Sequence, residues 1–320
     1  MTKAPIALVT GASGKIGKNL IAHLLSQKWT VIAISSQPTK IKDENLTWIQ
    51  KSWEELHEIE LPKIDVAYHL AGQNNAYFAR KNVSEDIQSN LILTVKLLEV
   101  LKKNSIKPLF ITLGSATEYG SRNKDVLTED SYAAPETFYE VAKISTRNYV
   151  EQYEREGIIR KSVSLRITNI YGMSKSIGDN DRGFIDDAIY RSMHNLDITC
   201  FGTGDFLRDY LHINDLVEAL AMTYLRESSL KSNVYNLSFG ESHTVIQVLE
   251  KIQNLAQNRL NSTSKIINID FPSNKYAIEK RNARVSSKKF REESKWEPFL
   301  DIESGLNLSF DKYLAEKENG

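Results

Sequence analysis

The chain has 320 residues, with 41 Lys and Arg balanced by 41 Asp and Glu, so its formal net charge is zero. That length can bury a large core in one domain or in two closely joined ones, while the balanced charge gives no electrostatic reason to expect a nucleic-acid or anionic membrane partner. Its single cysteine, Cys200, excludes an internal disulfide and fits a reducing compartment. No stretch approaches the roughly 18 apolar residues of a membrane span, and no metal-ligand spacing is present. We therefore expect a cytoplasmic protein without a metal, a membrane span or a nucleic-acid partner.

The first predicted unit is a strand, a glycine turn, a helix and a second strand. Apolar runs at Ile6–Val9 and Val31–Ile34 predict the strands, and the apolar stripe of Asn19–Gln27 predicts the helix between them. Gly11-Ala-Ser-Gly-Lys-Ile-Gly17 follows the first strand. Glycines there permit a tight turn and a close approach of backbone to pyrophosphate, and the start of the helix offers free N–H groups to the anion. This unit predicts dinucleotide binding.

The alternation of strands and helices continues beyond this unit. Near-continuously apolar strands that alternate with helices imply a parallel sheet covered on both faces, so the predicted fold is α/β, a Rossmann-type doubly wound parallel sheet. The further strands are predicted at Trp48–Ile49, Ile64–Gly72, Pro108–Leu113 and Ser162–Ile167, and the helices over Asp86–Lys103 and around Tyr139.

Small and polar residues follow several of these strands. Gly11–Gly17, Ala71-Gly72, Ser115 and Asn169 all fall at strand ends. Because ligands of such sheets bind at the carboxyl ends of the strands, we expect these residues to share one site.

The second half of the chain differs in its residue pattern from the first half and contains no clear linker between domains. Met173–Arg182 is polar and loop-like, and the remainder mixes helices with short strands. We predict a dinucleotide-binding domain from residues 1–172 and about 205–237, and a smaller mixed α/β substrate-binding cap from about 173–204 and 238–320. The elements predicted there are helices at Gly183–His194, Ile213–Leu225 and Ile302–Ala315, and strands at Ile198–Phe201 and Val234–Leu237.

Tyr139 and Lys143 are four residues apart in a predicted helix, which places both side chains on one face. A nearby ammonium favours the phenolate and lowers the phenol pKa. Lowering it by about three units needs about 4 kcal/mol, which a lysine and a positively charged nicotinamide ring can supply together. The spacing is also common on the surface of amphipathic helices, so the pair indicates a catalytic role only in combination with the other motifs.

Taken in order, the motifs resemble those of the extended short-chain dehydrogenase/reductase family, in particular its nucleotide-sugar epimerase/dehydratase branch and, within that, UDP-hexose 4-epimerases. The resemblance covers nearly the whole chain. The matching stretches are Gly11–Gly17, Asp65–Ala71, Asn90, Ser115–Gly120, Tyr139-x-x-x-Lys143, Leu165–Gly172, Arg208–Asp215, Tyr235–Leu237 and Trp296–Pro298.

The resemblance implies a role for each matching residue. Ser115 hydrogen-bonds the reacting sugar hydroxyl, Tyr139 is the general base and acid, and Lys143 binds the nicotinamide ribose and lowers the Tyr139 pKa. Arg208 pairs with the substrate diphosphate. The other implied substrate contacts are Thr117, Asn169, Tyr210 and Arg281, and the implied cofactor contacts are Gly11, Ser13, Gly14, Lys15, Ile16, Gly17, Ser35, Ser36, Leu70, Ala71, Gly72, Asn90 and Lys143.

The resemblance also implies a nucleotide-diphosphate sugar as substrate and a homodimer. The dimer would pair the Asp86–Lys103 helix and the Tyr139 helix with their copies in a four-helix bundle.

Three departures from the family pattern stand out. Ser35-Ser36-Gln37 ends the second strand, where an NAD-preferring fold carries Asp or Glu. No arginine stands there for a 2′-phosphate, although Lys40 is near, so NAD is favoured and NADP stays possible. Gln50–Trp53 lacks the usual aspartate near adenine, and Arg147 stands where many members carry Glu.

The Ser115 loop narrows the reaction. Sugar 4,6-dehydratases carry Asp-Glu after the catalytic Ser or Thr, whereas Ala116 and Thr117 here cannot do paired acid–base work. The sequence therefore predicts an NAD(P)-dependent 4-epimerase acting through a transient 4-keto sugar. The first alternative is an NAD(P)H-dependent reductase of a 4-keto-6-deoxy nucleotide sugar. A remoter one is a non-catalytic NAD(P)-sensing protein, although such proteins typically lose the Tyr/Lys pair.

Overall fold

The computed structural model describes residues 4–121, 125–172, 183–271 and 280–318, so the predicted loop Met173–Arg182 lies outside the described residues. The described strands are β1 (Ile6–Thr10), β2 (Thr30–Ser35), β3 (Leu46–Gln50), β4 (Val66–His69), β5 (Leu109–Ser115), β6 (Lys161–Ile167), β7 (Asn169–Tyr171), β8 (Ile198–Phe201), β9 (Leu207–His212), β10 (Val234–Leu237), β11 (Ser242–Thr244) and β12 (Ile266–Ile269). The described α-helices are α1 (Lys15–Ser26), α2 (Ala76–Lys81), α3 (Val83–Ile87), α4 (Leu93–Lys103), α5 (Phe138–Arg155), α6 (Phe184–Met193), α7 (Ile213–Leu225), α8 (Val245–Leu260), α9 (Lys288–Ser294) and α10 (Ile302–Glu318).

The large sheet has seven strands in the order β3-β2-β1-β4-β5-β6-β10. Every neighbouring pair is parallel, which confirms the predicted Rossmann-type sheet. The order reverses between β1 and β4, so the crevice where such sheets bind ligands opens beside the ends of these two strands. The glycine turn follows β1, and Leu70-Ala71-Gly72 follows β4.

Both faces of the large sheet are covered by apolar side chains. Ala7 and Val9 pack on one face with the apolar stripes of α1 and α7. Leu8, between them in the chain, packs on the other face with α4. This alternation follows from the two-residue period of a strand, and it explains why the strands read as continuous apolar runs.

A smaller set of elements forms the additional mixed structure. It contains a three-stranded sheet, β11-β9-β7, and a two-stranded sheet, β12-β8. Residues of α6, α8 and α10 bury a separate hydrophobic cluster there. Strand β10 completes the large sheet and β9 belongs to the smaller one; the division of the chain into two domains stays a prediction.

Several predicted elements have the bounds that the structure shows, namely Ile198–Phe201, Ile213–Leu225 and Val234–Leu237. The predicted start of the first helix at Asn19 was wrong, because extended Gly14 is the N-cap and the helix begins at Lys15. The predicted Asp86–Lys103 helix begins earlier, at Val83, and passes from α3 to α4 through a π-helical turn at Gln88–Ile92.

Candidate active site

Tyr139, Lys143 and Ser115 come together at the carboxyl edge of the sheet. Helix α5 begins after Thr137, whose side chain forms a capping box with Glu140, so Tyr139 lies in the first turn. The Lys143 Nζ atom is 5.6 Å from the centroid of the Tyr139 ring. Ser115 ends β5, and its side chain lies near the Tyr139 hydroxyl, where it acts to lower the Tyr139 pKa. The structure thus brings the three predicted catalytic residues into one cluster.

In the turn after β5, buried and partly exposed side chains alternate. Ala116–Tyr119 form a 3-10 turn capped by Ser115, with Ala116 buried and Thr117 partly open. The Oγ1 atom of Thr117 lies 2.8 Å from the Ser115 Oγ atom. The turn therefore places a second hydroxyl beside Ser115.

The lowered pKa expected for Tyr139 is not found in the protein alone. Burial raises the pKa of Tyr139, and the carboxylates of Glu118, Glu140 and Asp86 raise it further against the hydrogen bond from Ser115. Desolvation also lowers the pKa of Lys143. Lys143 is not among the groups that act on the Tyr139 pKa, so the lowering of this pKa by Lys143 stays a prediction.

The glycine turn folds tightly onto the end of β4. Gly11 has a φ of +65°, and a Cβ atom there would lie 2.7 Å from the Ala71 nitrogen. A Cβ atom on Gly17 would lie 2.3 Å from the Gly11 carbonyl oxygen. These positions admit only glycine, and α1 begins directly after the turn, at Lys15. The N-terminus of a helix is a favourable place for an anion. This geometry fits a dinucleotide pyrophosphate.

The end of β2 is tied to the same turn. The buried Ser35 hydroxyl donates to the Ser13 Oγ atom at 2.8 Å and accepts from the Gln37 N–H at 3.0 Å. Ser36 is exposed. The two predicted ribose-binding serines therefore differ, since Ser35 also stabilises the glycine turn.

Asn90 lies in the π-helical turn, close to Gly72. A Cβ atom on Gly72 would be 2.7 Å from the Asn90 Oδ1 atom, which is buried and has no hydrogen-bond partner among the described residues. The amide group donates to Asp86 at 2.9 Å, and Gln73 donates to the same carboxylate at 2.5 Å. Buried unsatisfied acceptors and π turns are both typical of functional sites, so this region suits the cofactor. Sequence reasoning missed Asp86 and Gln73, because neither belongs to a matched motif.

Arg208 and Arg281 also lie next to each other. Arg208 is 7% exposed, and its Nη1 atom donates to the carbonyl oxygens of Leu207 and Arg281. Its guanidinium lies 4.7 Å from the Phe206 ring centroid. Burial raises the pKa of Glu140 at the start of α5, and the charge of Arg281 opposes this change, so Arg281 lies toward the helix that carries Tyr139.

Two further predicted substrate contacts lie on β7 and β9. Asn169 is exposed and donates to the Asp209 carbonyl oxygen at 2.9 Å. Tyr210 pairs with Asn169 in register but is only 5% exposed and packs in the cluster of the smaller sheet. Their roles in substrate binding stay predictions.

Neither a metal cluster nor a membrane helix is found in the part of the chain that the structure describes. Among those residues no three His, Cys, Asp or Glu side chains are grouped to hold a metal ion. None of the described helices has both the length and the apolar content of a membrane span.

The strand order and the glycine turn at its reversal point define a Rossmann-type dinucleotide-binding fold. A family model matches residues 7–238, and the chain belongs to this family, the NAD dependent epimerase/dehydratase family. The resemblance inferred from the motifs is therefore confirmed.

The similar proteins include both reductases and epimerases. The chain is 29% identical over 258 residues to the dTDP-4-dehydro-6-deoxyglucose reductase of Escherichia coli, covering 77% of this chain and 80% of that protein. It is 26% identical over 309 residues to the GDP-6-deoxy-D-mannose reductase of Pseudomonas aeruginosa, covering 93% of each. The solved UDP-glucose 4-epimerase of Thermotoga maritima with UDP-glucose superposes with a TM-score of 0.85 at 25% identity, covering 98% of this chain and 99% of that one.

Proposed function

We propose that this protein catalyses NAD(P)-dependent oxidation and reduction at C4 of a nucleotide-diphosphate hexose, and that the net reaction is 4-epimerisation. The observation that carries the proposal is the meeting of Ser115, Tyr139 and Lys143 at the edge of the sheet that also holds the glycine turn. The family supports the cofactor class, and the Thermotoga maritima structure supports the reaction, since it matches nearly the full length of both chains.

In this proposal a nicotinamide cofactor held at the glycine turn would supply the hydride acceptor and donor for the sugar C4. Tyr139 removes the C4 hydroxyl proton as the C4–H bond breaks, which leaves a 4-keto sugar. Ser115 holds the C4 oxygen through a hydrogen bond, and the charge of Lys143 stabilises the phenolate. After the sugar has turned over in the cleft, Tyr139 returns the proton to the oxygen of the opposite epimer.

The proposed substrate contacts bind the part of the molecule that does not react. The Arg208 guanidinium is partly desolvated and lies beside Arg281, a setting that suits the oxygens of a diphosphate. Asn169, Tyr210 and Thr117 complete the proposed contacts to the sugar nucleotide.

We propose NAD as the preferred cofactor. Ser35 and Ser36 would flank the adenosine ribose, and no arginine follows β2 for a 2′-phosphate. An NADP affinity at least ten times tighter than that for NAD would contradict this preference.

A 4,6-dehydratase is disfavoured in the proposal. Ala116 is buried, and Thr117 supplies a hydroxyl where a dehydratase supplies a carboxyl. The nearby Glu118 carboxylate is buried and is paired with two arginines at 2.8 and 2.9 Å.

A reductase of a 4-keto-6-deoxy nucleotide sugar is the second candidate, because two reductases are among the similar proteins, one of them at 29% identity. Such an enzyme would use the same Ser115, Tyr139 and Lys143 for a single reduction and would release the oxidised cofactor in each cycle.

Mass spectrometry of the small molecules released from purified protein separates the two candidates. Tightly retained NAD is the result expected of an epimerase, which recycles its cofactor. Stoichiometric oxidation of added NADH or NADPH with a 4-keto-6-deoxy nucleotide sugar would instead establish the reductase.

We also propose the homodimer that the resemblance implied. Phe138, Val141 and Tyr149 are exposed on α5, and Ile87 is exposed on α3. A two-fold axis beside these helices would bury the same apolar patch on both subunits.

A further inference from the structure

A buried ion cluster lies directly behind the Ser115 turn. Glu118 is 1% exposed, and its Oε2 atom accepts from Arg147 Nη1 at 2.8 Å and from Arg166 Nε at 2.9 Å. The side chain of Arg147 is 13% exposed and that of Arg166 is 5% exposed. A carboxylate so deeply buried needs such partners, because an unpaired buried charge is strongly destabilising.

The other oxygen of Glu118 holds the catalytic serine. Its Oε1 atom accepts the Ser115 backbone N–H at 2.9 Å. A Cβ atom on Gly114 would lie 2.5 Å from this oxygen, so the glycine leaves the space that the carboxylate needs. Glu118 therefore joins the backbone of Ser115 to two guanidinium groups.

The two arginines anchor the carboxylate to separate elements. Arg166 belongs to β6 and also donates to the Tyr119 hydroxyl at 2.8 Å, which in turn donates to Asn236 on β10 at 2.7 Å. Arg147 lies on α5, one helical turn beyond Lys143. The cluster thus fixes the Ser115 turn to the sheet and to the helix that carries Tyr139.

The charges around Tyr139 come from three elements. Burial raises the pKa of Tyr139, and Glu118 on the Ser115 turn raises it next, followed by Glu140 on α5 and Asp86 on α3, while the hydrogen bond from Ser115 lowers it. Loss of the Glu118 charge would therefore shift the Tyr139 pKa downward.

The charges around Lys143 include the same carboxylate. Desolvation lowers the pKa of Lys143, and Glu118 and Asp86 oppose this change. His69 on β4 also faces this lysine, and burial lowers the pKa of its imidazole to about 3, so it is neutral.

We propose that Glu118 is a positioning residue of the active site: held by Arg147 and Arg166, its carboxylate fixes the Ser115 backbone and so places the Ser115 hydroxyl beside Tyr139. The inference rests on the proposed function of that site.

Two substitutions weaken the cluster to different degrees. Glu118→Ala removes both acceptor oxygens and the negative charge, whereas Glu118→Gln removes the charge and keeps one acceptor oxygen, so either the Ser115 N–H or the two guanidinium groups lose their acceptor. Glu154→Gln is the matched control, because Glu154 lies near the far end of α5 and accepts from Ser162 at 2.6 Å. All rates are normalised to the fraction of protein that binds cofactor.

We expect Glu118→Ala to lower kcat at least tenfold while the KM for the sugar nucleotide stays within threefold. We expect Glu118→Gln to retain more of kcat and to move the acid limb of the kcat/KM profile to lower pH, because the Tyr139 pKa falls. Glu154→Gln should match the wild type in both respects.

Two results would overturn the inference. One is a Glu118→Gln enzyme whose kcat and pH profile both match the wild type although its cluster has lost an acceptor, which decides the matter even if the alanine variant does not fold. The other is a folded Glu118→Ala protein with a normal kcat. A wild-type protein that acts on no nucleotide sugar would instead count against the proposed function, so the two failures are distinguishable.

Discussion

Tyr139 is the residue on which the proposed chemistry depends. General acid–base catalysis by a positioned side chain contributes about 10²–10⁴-fold to a rate, so we predict that Tyr139→Phe lowers kcat by about that factor and leaves cofactor binding nearly unchanged. The control is Tyr153→Phe, which removes a hydroxyl on the same helix that bonds Glu99. Steady-state kinetics of both variants provide the test, and a Tyr139→Phe enzyme with wild-type turnover would remove the mechanism.

Arg208 should act mainly through binding, because a diphosphate is remote from the reacting C4 and is held alike in the ground and transition states. We predict that Arg208→Ala raises the substrate KM by one to two orders of magnitude, or roughly 1.4–3 kcal/mol, with a smaller loss of kcat than in Tyr139→Phe. Arg208→Lys should recover part of the loss, because an ammonium keeps the charge without the fork. Arg208→Ala with a normal KM would mean that no diphosphate binds there.

Asp215 gives a prediction about stability and pH. Burial raises the pKa of Asp215 to about 6, against hydrogen bonds from the N–H groups of Phe299 and Leu300. Because the pKa of Asp215 is higher in the folded protein than in the unfolded one, protonation of Asp215 stabilises the folded protein. This stabilisation is fully present below about pH 4 and is lost as the pH rises through about 6.

Asp215→Asn removes that dependence. Relative to the wild type, the variant should gain on the order of 2 kcal/mol in unfolding free energy between pH 4 and pH 7.5. Urea denaturation of both proteins across this range measures the difference in unfolding free energy. A difference that stays constant with pH would contradict the prediction.

The elements whose packing faces are regular could be predicted from the sequence. Ile213–Leu225 and Val234–Leu237 have apolar patterns that match a helix packed on the large sheet and a strand within it, and the structure shows the same bounds. The start of α1 could not be predicted from its apolar stripe, because its first turn is set by the extended backbone of Gly14.

The elements behind the site depend on contacts that are distant in sequence. Glu118 meets Arg147 and Arg166 across 29 and 48 positions, so no local pattern marks the cluster. The π-helical turn at Gln88–Ile92 sits within an otherwise regular apolar period. The matching motifs identified Ser115, Tyr139 and Lys143 in the sequence. The residues that orient these side chains, and whose charges surround them, are recognised only in three dimensions.

The glycine turn is the element that should bind the pyrophosphate. We predict that Gly17→Ala raises the Kd for NAD at least tenfold, because a Cβ atom there would lie 2.3 Å from the Gly11 carbonyl oxygen and would displace the turn. Gly183→Ala is the control, since the nearest atom to its Cβ atom would be the Asp186 Oδ2 atom at 3.6 Å, an ordinary contact distance. Calorimetric titration with NAD measures both, and unchanged binding by Gly17→Ala would place the dinucleotide elsewhere.

At the scale of the whole molecule we predict a homodimer through α5 and the α3–α4 region. Light scattering at micromolar concentration should report twice the chain mass of 36.4 kDa. Val141→Glu should shift the protein to monomer, because it would bury a charge in the apolar patch, whereas Leu225→Glu, at an exposed apolar residue of α7, should not. A wild-type monomer would contradict the proposed interface.

The proposed reaction itself is tested most directly with nucleotide hexoses that carry deuterium at C4. The protein is incubated with UDP, dTDP and GDP hexoses of this kind, and the products are analysed by NMR and mass spectrometry together with the redox state of the cofactor. We predict formation of the C4 epimer of one of them, with deuterium kept at C4, no net change in NAD, and a rate for Tyr139→Phe that is lower by about 10²–10⁴-fold. Loss of the deuterium to solvent, or an epimer formed by Tyr139→Phe at the wild-type rate, would contradict a Tyr139-assisted transfer at C4.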